Sequence, residues 1–221
     1  MTGPETHGHD HGHDHDHDHS RTFQPDLEDS PFSHYQVMAQ ALGEVLIEKG
    51  VITADELRSQ LEWIDSRSPE AGSKLVARAW TDPEFKAQLL DDVNATAAAM
   101  GMDAGDIPIR AVENTPSVHN VIVCTLCSCY PRGLIGLPPD WYKSRAYRSR
   151  TVREPREVLA EFGTKIPEDV ELRVHDSTAD LRYLVLPMRP EGSDGMGADE
   201  LETLVTRDCM IGVSLPRTPQ A

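Results

Sequence analysis

The branched run Val121-Ile122-Val123 leads directly into Cys124-Thr125-Leu126-Cys127-Ser128-Cys129, with Tyr130-Pro131 behind it. Consecutive β-branched residues favour a strand, and Pro131 opposes its continuation. A strand therefore delivers three thiols into a tight turn. Cys124 and Cys127, at i and i+3, can face one point, and Cys129 joins them if the chain curls. The chain has only four cysteines in 221 residues, too few for a disulfide scaffold, so the clustering needs a chemical reason.

Four readings apply. Free cysteine is among the most buried residue types, but three in six positions exceed what core packing asks for. A C-x-x-C redox pair lacks its thioredoxin-like βαβ context here. A structural zinc site takes four ligands, commonly as two separated pairs, whereas Cys209 stands alone far downstream. What remains is a compact three-sulfur site with spare coordination positions. The peptide nitrogens of Ser128 and Cys129 lie close enough to complete a basal plane. Amide nitrogens ligate only when deprotonated, which points toward a strongly Lewis-acidic, trivalent ion.

Around this site the period of the chain changes once. From about Tyr35 to Met100 the apolar spacing is helical. Val37, Met38, Leu42, Val45 and Leu46 share one face, with Gly50 as a stop. Thr53 and Glu56 form a capping-box pattern ahead of Leu57, Leu61 and Ile64. Residues 71–80 make a third short helix. Thr81-Asp82-Pro83-Glu84 then opens a helix that carries Phe85, Leu89, Leu90 and Val93 to a close at Gly101. Trp63 and Trp80 read as packing residues. Beyond Gly101, Ile107–Val112, Val118–Val123, Val170–His175 and Leu181–Leu186 read as strands, with helices over about 155–162 and 198–206. The expected fold class is α+β: a helical arm over 31–104 and a metal-binding catalytic domain over 105–221.

Residues 1–30 form a tail with eight acids against one base, and His recurs at every second position from His7 to His19. Such a segment is expected to be disordered, and alternating His and Asp are competent ligands for divalent metals. The formal charge of −16 argues against nucleic acid or an anionic membrane as partner. Mean hydropathy is −0.45, and no run approaches the ~18 to 20 apolar residues of a membrane span. No secretory leader pattern is visible, so the cytoplasm is the expected location.

Val123-Cys124-Thr125-Leu126-Cys127-Ser128-Cys129-Tyr130-Pro131 resembles the metal-binding signature of the nitrile hydratase α-subunit family, which includes the γ-subunit of thiocyanate hydrolase. The stretches Leu75 to Lys86, Glu113-Asn114-Thr115, Val118-His119-Asn120, Gly136-Leu137-Pro138-Pro139, Trp141-Tyr142, Arg153-Glu154-Pro155-Arg156, Leu181-Arg182-Tyr183 and Val205-Thr206-Arg207-Asp208 are similar to the same family, so the likeness spans about 35–215. The resemblance implies a layered α/β/β/α domain holding one non-haem, non-corrin metal ion. Its ligands would be the sulfurs of Cys124, Cys127 and Cys129 and the backbone nitrogens of Ser128 and Cys129. Cys127 would be a sulfinate and Cys129 a sulfenate, both steps on the ordinary oxidation ladder. Threonine at position 125 goes with cobalt in the family, so Co(III) is expected, with iron second. Such an ion can polarise a nitrile nitrogen or lower the pKa of a bound water, and the Cys129 sulfenate oxygen is another candidate nucleophile. The resemblance also implies a β-type partner subunit that completes the pocket, so the lone chain is expected to be inactive, and a metallochaperone or activator is a further possible partner.

One departure bears on substrate. Typical nitrile hydratases follow Tyr-Pro with Trp-Pro, whereas this chain has Arg132-Gly133. Arg132 also opens a basic stretch: Arg132, Lys143, Arg145, Arg148, Arg150, Arg153 and Arg156 face only Asp140 and Glu154. That stretch reads either as a solvated face or subunit interface, or as an anion-friendly pocket edge suited to thiocyanate. The expected function is nitrile hydration to an amide. The alternative is hydrolysis of thiocyanate to carbonyl sulfide and ammonia, as in the thiocyanate hydrolase γ-subunit, and the third reading is a cobalt or zinc carrier. Cys127 and Cys129 are the candidate catalytic residues, and Arg132 and Tyr130 the candidate pocket residues. His119, His175 and Cys209 read as structural.

Overall fold

The computed structural model describes residues 33–219; the His/Asp-rich tail expected to be disordered lies outside them. The chain divides between Leu57 and Arg58 into two compact units. In the first, α1 (His34–Glu48) starts on Ser33, whose hydroxyl accepts from Gln36 N at 3.3 Å while the Gln36 side chain accepts from Ser33 N at 2.7 Å. Its apolar stripe is exposed at Val37, Met38, Leu42 and Val45, and Gly50 follows with φ +65°. The Thr53–Glu56 box is present: Glu56 accepts from Thr53 N at 2.7 Å, and Thr53 Oγ1 accepts from Glu56 N at 3.1 Å. It opens α2 (Ala54–Asp65), within which the division falls.

The second unit continues through α3 (Glu70–Thr81), α4 (Pro83–Asp91), α5 (Val93–Ala99), β1 (Ile109–Glu113), β2 (Val118–Val123), α6 (Arg132–Ile135), α7 (Asp140–Lys143), α8 (Arg145–Arg153), α9 (Pro155–Glu161), β3 (Glu171–Asp176), β4 (Arg182–Leu186), α10 (Ala198–Leu204) and α11 (Arg207–Ile211). The four strands make two parallel pairs. β1 pairs with β4, Ile109 opposite Arg182, and β2 pairs with β3, Val123 opposite Asp176. Helices α4 and α5 pack on β1, α8 on β2 and α9 on β3, while β2 meets β4 between the ribbons. This is the α/β/β/α layering, in an α+β chain. No helix among the described residues is long and apolar enough to cross a membrane.

Two expectations shift. The single helix expected over 82–100 is two, because Asp92 leaves the helical region at φ −147° and its side chain accepts from Ala95 N, capping α5. The packing divides at Leu57/Arg58 rather than at the 104/105 junction suggested by the change of period. Leu75, Val76, Phe85 and Leu89 share one buried core with Val121, Ile122, Leu184 and Leu186, so the helices of 70–99 belong to the layered unit.

That core is pinned by a polar network across β2. His119 is 4 % exposed; its Nε2–H donates to Gly212 O at 2.8 Å and its Nδ1 accepts from Asn114 Nδ2 at 3.3 Å. Asn114 Oδ1 accepts from Asn120 N at 2.7 Å, and Asn120 Oδ1 accepts from His175 Nε2 at 2.8 Å. Burial lowers the pKa of both imidazoles, as suits neutral, hydrogen-bonded rings. Gly212, at φ +92°, lets the backbone after α11 approach β2 so closely that a Cβ there would sit 2.1 Å from Asn120 O.

Candidate metal centre

The centre begins where β2 ends. Val121, Ile122 and Val123 are fully buried, so the strand carrying the first cysteine has no freedom to slide. Pairing of Val123 with Asp176 brings the last residue of β3 level with the start of the cysteine turn. The Asp176 carboxylate then accepts from Thr125 N at 2.9 Å and from Thr125 Oγ1 at 2.6 Å. Arg148 on α8 donates through Nη1 to Leu126 O at 2.8 Å and to Thr125 O at 3.4 Å. Tyr142 on α7 donates its hydroxyl to Cys129 O at 2.9 Å. Side chains from β3, α8 and α7 thus hold the start, tip and end of one six-residue turn.

Within that turn the sulfurs of Cys124, Cys127 and Cys129 lie within 4.8 Å of one another. The Cys124–Cys127 and Cys127–Cys129 sulfur separations are 3.6 and 3.3 Å, and Cys127 N donates to Cys124 Sγ at 3.2 Å. Cys127 is pulled down to about 7 by hydrogen bonds from the Cys129 and Cys124 thiols and from the backbone N–H of Ser128. Cys129 is pushed up to about 12, first by burial and then by the two neighbouring sulfurs, with Arg182 opposing. Cys127 therefore ionises before Cys129. A thiolate is the form that ligates a metal, so Cys127 is the readier ligand of the two, and Cys129 loses its proton as an ion enters. Among the described residues this is the cluster able to hold a metal. Cys209 is not part of it: it is fully buried and its thiol donates to Thr206 O at 3.1 Å.

Cys127, Ser128 and Cys129 line a cavity of about 460 Å³, while Cys124 is buried behind them. Trp63, Ile64, Ile107, Ile109 and Leu137 line its apolar side, and Arg67, Arg132 and Arg182 bring cationic groups. Arg67 is occupied, donating to the Asp103 carboxylate at 2.7 Å and to its carbonyl at 3.0 Å while its guanidinium lies 3.8 Å from the Trp63 ring centroid.

Of the candidate pocket residues, Arg132 is exposed and sits on the cavity wall at the start of α6. Tyr130 borders the cavity but is 3 % exposed, with its hydroxyl on Ile135 O and its ring edge-on to Tyr142 at 5.1 Å. The basic stretch divides: Arg145, Arg148 and Arg153 line a separate surface cavity with Thr125 and Leu126. Lys143 pairs with Asp140 and Arg150 with Glu154 and Glu161, Arg156 donates to Ile166 O and Val170 O, and Arg148 grips the turn. Of the seven bases, Arg132 lines the cavity beside Cys129. Trp63, read as a packing residue, is half exposed on the cavity wall, whereas Trp80 does pack, donating Nε1–H to Pro187 O at 2.7 Å.

Asp176, Tyr142 and Arg182 were not legible as site residues, and Arg148 was legible only as part of the basic stretch. The parallel pairing of β2 with β3 brings Asp176 to Thr125, and that of β1 with β4 brings Arg182 to the cavity. Such pairings leave no mark in local sequence.

A layered α/β/β/α chain with three cysteine sulfurs converging in a turn after a buried strand has the ligand set of a metal-binding protein. The sequence profile of the family described as nitrile hydratase, alpha chain, matches residues 33–214. The low-molecular-weight cobalt-containing nitrile hydratase subunit alpha of Rhodococcus rhodochrous is 49% identical over 195 residues, 86% of this chain and 93% of that one. Thiocyanate hydrolase subunit gamma of Thiobacillus thioparus is 42% identical over 197 residues, 84% of this chain and 81% of that one. Among solved structures, recombinant thiocyanate hydrolase with partially modified cobalt centres superposes with a TM-score of 0.79 at 41% identity, covering 84% of this chain and 91% of that one. A double mutant of the Fe-type nitrile hydratase from Comamonas testosteroni Ni1 gives 0.77 at 43% identity with the same coverage. The chain belongs to the nitrile hydratase α-chain family.

Proposed function

We propose that this chain is the metal-carrying catalytic subunit of a nitrile hydratase, converting a nitrile to its amide at a cobalt centre. The observation that carries the reading is the convergence of three sulfurs in one turn, of which Cys127 and Cys129 line a cavity that Ile64, Ile107, Ile109 and Leu137 also line. Cys124, Cys127 and Cys129 would hold the ion, with the backbone nitrogens of Ser128 and Cys129, as Co(III) beside a Cys127 sulfinate and a Cys129 sulfenate. The bound ion supplies Lewis acidity. Ile64, Ile107, Ile109 and Leu137 would take the organic part of the nitrile and keep water from its flank. A sulfenate oxygen on Cys129 would face the C≡N carbon from the sulfur wall, as nucleophile or as the base for an attacking water. The names of the relatives, subunit alpha and subunit gamma, support a β-type partner that closes the cavity and is needed for turnover. The four free cysteines suit a reducing cytoplasm.

Thiocyanate is the second reading, favoured by one observation. Arg132, which stands where typical nitrile hydratases have tryptophan, lines the cavity beside Cys129 and Arg182. A cationic wall attracts an anionic substrate.

Co-expression with the neighbouring partner chains in cobalt medium separates the readings. Amide from a neutral nitrile supports hydration, and carbonyl sulfide with ammonia from thiocyanate supports the second reading. A complex that turns over neither, with cysteines unoxidised and metal freely lost to a chelator, refutes both in favour of a metal carrier.

A further inference from the structure

Gly133 is the second residue of the Arg132-Gly133 departure, and its own backbone does not ask for glycine. It lies inside α6, and its φ is outside the left-handed region. What asks for glycine is a close approach. A Cβ at position 133 would sit 2.6 Å from Asp103 O and 2.8 Å from the carbonyl carbon and oxygen of Ala104. These are main-chain atoms, so no change of rotamer relieves the overlap. The segment admitted in this way is a wall of the cavity: Ala104, Gly105, Asp106 and Ile107 line it together with Cys127 and Cys129. That wall is clamped at both ends. Arg67 donates to the carbonyl and carboxylate of Asp103, and Asn94 Nδ2 donates to Gly105 O at 2.9 Å and to Ile107 O at 3.1 Å. The two sides of the approach differ in how far they can yield. Helix α6 is fixed, because Leu134 and Ile135 are fully buried and α3 is packed so closely that a Cβ on Gly72 would sit 2.7 Å from Ile135 Cγ2. Asp103 and Gly105 to Pro108 are exposed, so the segment moves and the helix does not.

We propose that Gly133 is a specificity-determining residue of the cavity. By admitting the Asp103–Ile107 segment against α6, it draws that wall in beside the cysteine turn and favours substrates whose C≡N group carries a small substituent over those that carry an aromatic ring. The sorting of nitriles rests on the proposed function, whereas the position of the wall does not. A side chain at 133 would have to push the segment from 2.6 Å to an ordinary contact of about 3.5 Å, a shift of roughly 1 Å. Because the wall lines the cavity, that shift widens it. Asp103 serves the same wall by tying it to Arg67, so removing its carboxylate loosens the segment without adding any atom at the approach.

The test uses the full chain assembled with its partners in cobalt medium, as parent, Gly133→Ala and Asp103→Ala. Hydrogen exchange of the peptide spanning 103–107 reads the wall, and kcat and KM for propionitrile and benzonitrile read the sorting. Quenching of Trp63 fluorescence, assigned with a Trp63→Phe control, reads binding of each nitrile without turnover, since Trp63 lines the cavity. Gly133→Ala is expected to speed exchange and to raise the benzonitrile-to-propionitrile ratio of kcat/KM about tenfold, through a lower KM for benzonitrile. Asp103→Ala is expected to move exchange and ratio the same way by a smaller factor. Faster exchange with a ratio within about twofold of the parent in Gly133→Ala overturns this proposal and leaves the proposed function standing, and unchanged exchange in Gly133→Ala overturns it as well. If the parent turns over neither nitrile, nitrile hydration fails and the fluorescence decides: a benzonitrile-to-propionitrile Kd ratio that falls in Gly133→Ala supports the proposal, and an unchanged one overturns it. If Gly133→Ala does not assemble, Asp103→Ala, whose carboxylate is exposed, decides by the same ratios.

Discussion

Replacing Asp176 by alanine removes both acceptors that fix Thr125 and so releases the start of the cysteine turn. The carboxylate takes Thr125 N at 2.9 Å and Thr125 Oγ1 at 2.6 Å. Hydrogen bonds to a charged group contribute about 1.5–3 kcal/mol each when shielded. Both partners are exposed, and solvent screening reduces this to about 1 kcal/mol apiece, or about 2 kcal/mol for the pair. If the turn must be closed for its sulfurs to meet, that energy appears as weaker metal binding, roughly 30-fold at 1.4 kcal/mol per decade. The assay is competition for Co(II) between a chromophoric chelator and the full chain with its thiols reduced, so that oxidation chemistry does not enter. Asp176→Ala is expected to raise the apparent Kd roughly 30-fold, and Asp176→Asn, which keeps one acceptor, to fall between it and the parent. A Kd for Asp176→Ala within about twofold of the parent, with melting unchanged, refutes the reasoning. The convergence of the sulfurs would then be a property of the turn alone.

Three further outcomes follow from the same contacts. Burial holds the pKa of His119 below its unfolded value, so the unfolded chain binds more protons as pH falls below about 6.5. Stability is then complete above that pH and is lost as pH falls toward the folded pKa. The urea midpoint of the parent should drop across that window and that of His119→Gln should drop less, His175 contributing in the same direction; equal slopes would contradict this. Gly212→Ala places a Cβ 2.1 Å from Asn120 O at φ +92° and is expected to cost about 3 kcal/mol or more, read as a lower melting temperature; an unchanged one would show that β2 can yield. Tyr142→Phe removes the donor to Cys129 O and should cost about 1 kcal/mol in urea unfolding, with a smaller loss of Co(II) affinity than Asp176→Ala.

Local sequence carried much of this fold because much of it is local. Thr53 sits where a helix cap is needed, Asp82-Pro83 starts α4, and the strand Val118–Val123 ends at the residue expected. The break at Asp92 escaped because an aspartate inside an apolar period looks like a solvated helix position; only its extended backbone and its bond from Ala95 N make it a cap. The division at Leu57/Arg58 escaped for a different reason. Amphipathic spacing says that α3 and α4 have an apolar face but not what it packs on, and that face meets the strands.

The site divides along the same line. Three cysteines in six positions after a branched apolar run point, by sequence alone, to a turn with converging sulfurs, because thiols at i and i+3 can face one point. Sequence also placed Arg132 beside that turn. The neighbours that hold the turn and line the cavity come from elsewhere in the chain. Asp176 reaches Thr125 through the β2–β3 pairing, Arg148 and Tyr142 through packing of short helices, and Arg182 through the β1–β4 pairing. Asp176, Arg148 and Tyr142 lie 13 to 51 residues away from the groups they bind. Parallel pairing of distant strands is a global property, fixed by burial of both ribbons between helices, and no periodicity of either strand announces its partner.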